Sequence, residues 1–335
     1  MSTTAFDATI SQARDLLRWR SPLRTELWAA RLSADLRGDD LFLARLAKDR
    51  SQEARLALAA LTSLNAPHSD PAGDKPDEPE EAGDALIEPY LTAGREAVGS
   101  LPGWVARMGR VTCEGAWHGR ADRYGEQTLA ALSFRYGNGK EPHLLVVAID
   151  QVHGGLAVDA AVEEVGFLDD LSLAEAGPRE TAGRILDAFE LTDLLMGAAI
   201  AGTLPAVRPL ALSRARAVPD PVRHPREQVA RPAGLPAGPG AEEAFGKLME
   251  FVGDRPLWWS PERVSRFLTS WLPREAILSD EAIAAMPEVV RAWSRQAGGH
   301  PEVLRRIDAD APRLPLLMAD DSLAGLGKRI ARRDS

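Results

Sequence analysis

The feature that most constrains the fold of this chain is a change in its hydrophobic period. Apolar side chains recur at helical spacing through residues 3–64, and they do so again from Pro178 onward. Between these stretches, residues 110–165 hold short alternating or β-branched runs separated by glycine-rich turns. This order predicts a mainly helical α+β protein. It consists of an N-terminal helical hairpin or bundle, a small antiparallel sheet of three or four strands, and a helical C-terminal part.

Local signals mark where several helices begin. Ser21-Pro22 and Ser260-Pro261 each place a capping hydroxyl directly before a proline, which fits the first helical position. We expect Asp40 to cap a third helix in the N-terminal region, and Asp280 or Ser279 to begin a helix nearer the C-terminus.

The strand region is bounded by equally clear signals. The run His143–Asp150 is apolar and rich in β-branched residues, which is typical of a central strand. The tripeptide Gly137-Asn138-Gly139 precedes it and predicts a hairpin turn. After the strands, the helical pattern that begins at Pro178 is expected to continue to about Ala201.

Two stretches of unusual composition suggest how the chain is organised. Residues 65–83 are rich in proline, glycine and acids, and residues 218–240 are rich in proline, so we interpret them as linkers or surface loops. The second could also be an extended arm lying on another surface. The predicted segments are 1–64 (N-terminal helices), 65–83 (acidic linker or loop), 84–217 (α+β domain with the meander), 218–240 (proline-rich linker or arm) and 241–335 (C-terminal helices).

The charge of the chain is concentrated in one place. The formal net charge is −9, and residues 70–88 alone carry −7 of it. The remaining chain is almost neutral. The acidic charge of the chain as a whole argues against nucleic acid as a partner, because that affinity depends on neutralising phosphates. Arginine accounts for 35 of the 40 basic side chains, a bias typical of high-GC bacterial genomes.

The cysteine content and the distribution of apolar residues indicate the cellular compartment. The chain has one cysteine, Cys113, which excludes an internal disulfide framework. No run of 18 apolar residues is present, and residues 1–10 lack the pattern of a signal peptide. We therefore expect a cytoplasmic protein with no membrane partner.

The best candidate for chemistry is a polar turn after the predicted central strand. Asp150 ends that strand, His153 lies in the turn, and Asp159 follows on the next strand. If Asp159 lies across from Asp150, these side chains could perform acid–base chemistry or bind a metal. The alternative is structural, since an aspartate before a Gly-Gly turn often accepts backbone hydrogen bonds.

Other catalytic patterns are missing from the sequence. It contains no GxSxG, HExxH or GxxxxGK[ST] motif, so no nucleophile elbow, zinc-protease helix or phosphate loop is indicated. Cys113 lies in a predicted strand, where burial would make it inert. The pattern defines no cofactor or metal.

The tryptophans point to a different role. Trp258 and Trp259 are adjacent and precede a helix cap, so both cannot easily lie in the core of the same helix. We take them as candidate partner-binding residues, because tryptophan is enriched at the centres of protein interfaces.

Two segments carry a resemblance to other proteins. Residues 144–160, LLVVAIDQVHGGLAVDA, and residues 259–293, which begin with WSPERVSRFL, resemble a family of high-GC, actinobacterial-type bacterial proteins without assigned activity. The resemblance implies no mechanism, but it draws attention to Asp150 and Asp159.

These observations leave three functional hypotheses. The first is an adaptor or regulatory protein that acts in the cytoplasm through contacts with a protein partner. The second is a hydrolase-type enzyme with a polar or metal site at Asp150, His153 and Asp159. The third is a weak nucleic-acid binder that uses the arginines of the N-terminal helices and the basic residues 328–333.

Overall fold

The computed structural model describes residues 3–36, 39–65, 88–225, 231–253 and 255–331. Contacts divide the chain into two compact units. The first consists of Met1–Gly119 and Leu129–Pro225, and the second of Arg120–Thr128 and Arg226–Ser335. The acidic stretch 65–83 lies outside the described residues apart from Asn65, which ends a helix. The division into five segments stays a prediction.

The first unit begins with a group of helices. Ser21 begins the second of them as expected, because its Oγ accepts the Arg24 N–H at 3.1 Å. The cap of the third helix is Asp39, whose carboxylate accepts the Phe42 N–H at 3.1 Å. The prediction that Asp40 is the cap is wrong by one position, because Asp40 is the first residue of the helix. The helices are α1 (Thr3–Trp19), α2 (Pro22–Asp35), α3 (Asp40–Lys48) and α4 (Gln52–Asn65).

Helix α4 lies at the centre of this group. Alanine and leucine cover all its faces, and the side chains from Leu56 to Leu64 are buried. Phe6, Leu16 and Leu46 of the surrounding helices belong to the same core. The next helix, α5 (Glu88–Val98), also packs against α4.

The strands form one sheet in the order β4-β3-β2-β1-β5. Its first four members are the meander expected from the sequence, and Gly139, with φ +74°, lies in the predicted turn. The edge strand β5 pairs antiparallel with β1 and adds to the three or four strands expected. Two residues are too few to show an alternating pattern. The strands are β1 (Val111–Arg120), β2 (Gln127–Tyr136), β3 (His143–Asp150), β4 (Leu156–Glu163) and β5 (Ala174–Glu175).

Strand β3 is covered on both faces of the sheet. One set of its side chains, which includes Leu145 and Val147, shares a core with α6 (Pro178–Leu194) and α7 (Leu204–Arg216). The alternate set, which includes Leu144 and Val146, shares a core with leucines of the segment that leads to β5. Burial on both faces explains the continuous apolar run in the sequence.

The chain leaves α6 earlier than expected. The helix ends at Leu194 rather than near Ala201, and Leu195 has extended backbone angles. Gly197 then adopts a left-handed φ of +79°, which favours glycine. Residues 195–203 therefore connect α6 to α7 as an irregular segment.

Part of the proline-rich stretch lies along α6. The Val222 N–H donates to the Arg179 carbonyl at 3.0 Å, and the Arg223 guanidinium contacts Asp187 and Glu190. Residues 222–224 therefore lie against the surface of α6, and the interpretation of 218–240 as a linker or an arm stays a prediction.

In the second unit, residues 239–331 are mainly helical. Ser260 Oγ accepts the Arg263 N–H at 3.3 Å, so this predicted helix start is confirmed. Of the two expected starts near 280, Ser279 is the cap, because its Oγ accepts the Ala282 N–H at 3.1 Å. The helices are α8 (Pro239–Val252), α9 (Pro261–Arg266), α10 (Leu272–Glu275), α11 (Asp280–Gln296), α12 (Pro301–Asp310), α13 (Leu314–Ala319) and α14 (Leu326–Ala331).

The fold class predicted from the sequence is confirmed: the protein is α+β and mainly helical, with a small antiparallel sheet. Within the described ranges, no helix combines the length and the apolar character that a membrane span requires.

Candidate functional site

The turn between β3 and β4 brings two of the predicted site residues together. His153 Nδ1 lies 2.8 Å from Asp150 Oδ2, and 71% of the histidine side chain is exposed. With Nδ1–H donating to the carboxylate, Nε2 of the imidazole points away from this bond and is available as a base or ligand. This is the orientation that an aspartate imposes on a histidine in acid–base chemistry.

Asp150 also holds the turn itself. Its Oδ1 accepts the backbone N–H groups of Val152, at 2.8 Å, and of His153, at 3.2 Å. Its own carbonyl accepts the Gly155 N–H at 2.7 Å. Gly154 and Gly155 have φ of +119° and +98°, values that other residues rarely adopt. The aspartate is therefore committed to local backbone contacts as well as to the imidazole.

Asp159 does not share these contacts. The β3–β4 pairing aligns Asp150 with Leu156 and Asp159 with Ala148, so the expectation that Asp159 lies across from Asp150 is wrong. The Asp159 carboxylate instead accepts hydrogen bonds from the Thr203 hydroxyl, at 3.2 Å, and from the Ala160 backbone N–H, at 2.8 Å. Across the described residues, no group of three or more His, Cys, Asp or Glu side chains is arranged to hold a metal ion.

An exposed apolar surface adjoins the turn. The side chain of Met196 is fully exposed, and Leu194 is 73% exposed. Val152, Leu195 and Ile200 are also exposed by more than a third. We call these side chains, Val152, Leu194, Leu195, Met196 and Ile200, the α6–α7 apolar surface.

Three contacts bring the members of this surface to the same part of the sheet. Thr192 Oγ1 donates to the Ala157 carbonyl at 3.0 Å, and the Ala201 N–H donates to the Val158 carbonyl at 2.8 Å. On the other side, Gly154 lies against Leu191: an added Cβ would meet its Cδ2 at 3.4 Å. The end of α6, the segment that follows it and the polar turn thus surround the start of β4.

A second polar cluster is fully buried in the same unit. It joins Glu26 of α2, Tyr136 of β2, His143 of β3 and Arg214 of α7, each at most 2% exposed. The Arg214 guanidinium donates to Glu26 Oε2 at 2.6 Å and to the Tyr136 hydroxyl at 3.0 Å. The Tyr136 hydroxyl in turn donates to Glu26. The ion pair is thus surrounded by hydrogen bonds, as a buried charge requires.

The geometry fixes the protonation state of His143. Arg214 Nε is a donor and lies 2.9 Å from His143 Nε2, so Nε2 accepts. The proton is therefore on Nδ1, which donates to the Glu141 carbonyl at 2.9 Å. Burial, reinforced by the nearby Arg214 charge, lowers the pKa of His143 from 6.5 to about 4. Burial also raises the pKa of Tyr136, so the phenol stays protonated.

This cluster connects elements rather than offering an open site. Solvent does not reach its charged groups, and Glu26 Oε1 also accepts the Gly109 N–H at 2.6 Å. The sequence reasoning did not identify Glu26, Tyr136 or Arg214 as a cluster. Glu26 was the one available signal. It lies on the same face of α2 as the buried residues Pro22 and Ala30, and a charged residue on such a face indicates a buried polar contact.

The two adjacent tryptophans have different environments. Trp259 is 1% exposed, its Nε1 donates to Ser294 Oγ at 2.8 Å, and its ring meets Trp293 edge to face. It presents almost no surface to a partner. Trp258 keeps part of its indole exposed, and the Arg263 guanidinium lies 4.0 Å from the centre of its ring. A partner-binding role for this pair stays a prediction.

The structure also shows the surroundings of Cys113 and of two arginines on the N-terminal helices. Cys113 lies in β1, and burial raises the pKa of its thiol, which lowers its reactivity. On the N-terminal helices, Arg14 pairs with Glu53 and Arg18 with Asp15, so these arginines have acidic neighbours.

Comparison of the chain with protein-family models, with curated proteins and with solved structures gives no match.

Proposed function

We propose that the protein acts as an adaptor or regulatory protein that binds another protein through the α6–α7 apolar surface. The observation that carries this proposal is the exposure of consecutive large apolar side chains, Leu194 to Met196, beside an ordered sheet edge. Clustered apolar surface of this kind marks interaction sites, whereas single exposed apolar residues need no explanation.

The chemistry of this surface favours a partner with apolar side chains. Methionine and leucine side chains adapt to irregular apolar surfaces, and methionine does so with little conformational restriction. The segment between α6 and α7 is held at both ends by the contacts of Thr192 and Ala201 with β4. The surface is therefore largely preformed, which reduces the entropy lost on binding. The lone cysteine favours the cytoplasm as the compartment.

A paired set of variants tests the proposal. In L194Q/M196Q, two exposed apolar side chains become polar without a change in charge. The matched control is L316Q/L326Q, because Leu316 and Leu326 are 77% and 76% exposed but lie on α13 and α14. Both variants should keep the melting temperature of the wild type.

The measurement is quantitative mass spectrometry of proteins retained by each tagged variant from extract of the source cells. We expect a partner that wild type and control retain equally and that L194Q/M196Q retains about tenfold less, as for the loss of an interface hot spot. Equal retention by all three proteins would contradict the proposal. Light scattering during gel filtration distinguishes a different partner from a second copy of this chain.

A second candidate function is a hydrolase that uses His153 as its base. The 2.8 Å contact between His153 Nδ1 and Asp150 favours it, because the carboxylate orients the imidazole. The variant H153Q removes the base, and H224Q is the matched control, since His224 is also exposed and near a carboxylate, Asp187, at 3.5 Å.

The test for this candidate is hydrolysis of chromogenic ester and phosphate substrates across pH. An enzyme of this kind would lose at least about a hundredfold in rate in H153Q and nothing in H224Q. Absence of hydrolysis by the wild type, or an H153Q rate equal to that of the wild type, would exclude His153 as the base for these substrate classes.

A further inference from the structure

A cleft in the first unit lies away from the β3–β4 turn and is lined by cationic and aromatic side chains. It forms where the α1–α2 junction, the segment after α5 and the β2–β3 turn meet, and it encloses about 660 Å³. Ligand sites of small molecules commonly have volumes of a few hundred to a thousand cubic ångströms. The lining residues that matter here are Trp19, Arg20, Trp104, Arg107, Lys140 and Glu141.

The charge in this cleft is positive, although the chain as a whole is acidic. Arg20, Arg107 and Lys140 line it together with one acid, Glu141. The Glu141 carboxylate already accepts the Ser21 hydroxyl. Neither Arg20 nor Lys140 forms an ion pair with any residue that the structure describes. Three cations that share one carboxylate repel one another, and an anion bound between them would relieve this repulsion.

Two donors in the wall of the cleft lack acceptors. Trp104 is 6% exposed, and its Nε1 has no hydrogen-bond partner among the described residues. The same holds for Nε of the half-buried Arg107. A buried donor without an acceptor costs free energy. A small shift of the Trp104 or Arg107 side chain toward an oxygen atom of an anion bound in the cleft would remove that cost.

The backbone at the rim is also strained. Arg20 and Glu141 have φ of +56° and +51°, in the left-handed region that residues with a Cβ rarely adopt. Strain of this kind is often found at ligand sites, where the surrounding structure holds side chains in a required position. Here it places Arg20 and Glu141 at the same opening.

We propose that this cleft binds the phosphate groups of a small ligand. Phosphate suits it because arginine forms paired hydrogen bonds with phosphate oxygens and lysine contributes a compact charge. A ligand with at least two negative charges is required, since the three cations face the charge of Glu141. The proposal does not depend on the α6–α7 apolar surface, so either can fail without the other.

The test is isothermal titration calorimetry with inorganic pyrophosphate and with ATP at low salt. Pyrophosphate carries the phosphate chemistry alone, and ATP adds an organic part, so the two probes distinguish the two sources of the same group. We expect at least one probe to bind wild-type protein with a Kd of about 1 mM or tighter, and to bind less well as salt is added.

Matched variants locate the binding. R20Q/K140Q removes two exposed cations from the cleft, and K48Q/R50Q removes two exposed cations at the end of α3. We expect R20Q/K140Q to weaken binding at least about tenfold and K48Q/R50Q to change it less than about twofold. Failure of both probes to bind wild type at about 10 mM, or equal weakening by both variants, would overturn the proposal.

Discussion

The guanidinium of Arg214 lies 2.6 Å from the carboxylate of Glu26, and solvent reaches neither side chain. The two residues are on α7 and α2, so the pair connects the N-terminal helices to a helix that covers the sheet. Burying either charge alone would cost much free energy, and the pair is stabilised by further hydrogen bonds with Tyr136, His143 and the Gly109 N–H.

Removing one member of this pair should be strongly destabilising. E26Q keeps the shape of the side chain but leaves the Arg214 charge buried without a counter-charge. We expect a loss of about 3–5 kcal/mol in the free energy of unfolding, measured by urea denaturation. R14Q is the control, because the pair of Arg14 with Glu53 is exposed at Arg14 and should contribute less than about 1 kcal/mol.

The double variant E26Q/R214M separates pairing from burial. It removes both charges, so its loss should be clearly smaller than the sum of the two single losses. Additive losses would show that Glu26 and Arg214 do not stabilise each other.

His143 should make the fold sensitive to moderate acid. Its pKa is about 4 in the folded protein, because burial and the Arg214 charge disfavour protonation, whereas the ordinary value is 6.5. The unfolded chain therefore binds a proton at this position below pH 6.5, and the folded chain does not until about pH 4. Stability should fall as pH is lowered through this window, by about 3 kcal/mol in total from this residue.

The measurement is urea denaturation of wild type and H143Q between pH 7 and pH 4. Glutamine still offers Arg214 an acceptor but has no titration in this window, so the pH dependence of H143Q should be weaker. Parallel curves for the two proteins would mean that His143 contributes nothing to acid sensitivity.

Two helical glycines should respond in opposite directions to alanine. An added Cβ at Gly183 of α6 would lie 1.7 Å from the Val222 carbonyl oxygen, so G183A must displace the arm at residues 222–224. We expect a loss of about 1–3 kcal/mol from this overpacking. Gly246 of α8 has open space around it, and G246A should add about 0.5–1 kcal/mol by favouring the helix. Thermal unfolding measures both, and a neutral G183A would show that residues 222–224 do not lie on α6 in solution.

The fold class and most element positions could be predicted from the sequence because their signals are local. Ser21 and Ser260 begin helices where a capping residue precedes proline, and His143–Asp150 is a strand buried on both faces. The cap is Asp39 rather than Asp40. The carboxylates of these adjacent residues can both accept a backbone N–H, so the sequence does not distinguish them. The two-residue strand β5 carries too little pattern to be recognised.

The sites were only partly predictable. Asp150 and His153 are three residues apart in one turn, so their contact is a local property. The partner of Asp159 depends on strand register, which pairs it with Ala148 rather than with Asp150. Glu26 and Arg214 are 188 positions apart, and hydrophobic period does not indicate which charged residues meet in a core. The α6–α7 apolar surface depends on where α6 ends, which was expected later in the chain.

Photo-crosslinking from position 196 tests whether the α6–α7 apolar surface binds another protein. A benzophenone amino acid replaces Met196 in one protein and Leu316 in another, both exposed and apolar in the wild type. Irradiation in extract of the source cells, followed by mass spectrometry, identifies what each position touches. We expect a product with one other protein at position 196 and none with that protein at position 316. Products that are the same at both positions, or no product at position 196, would contradict it.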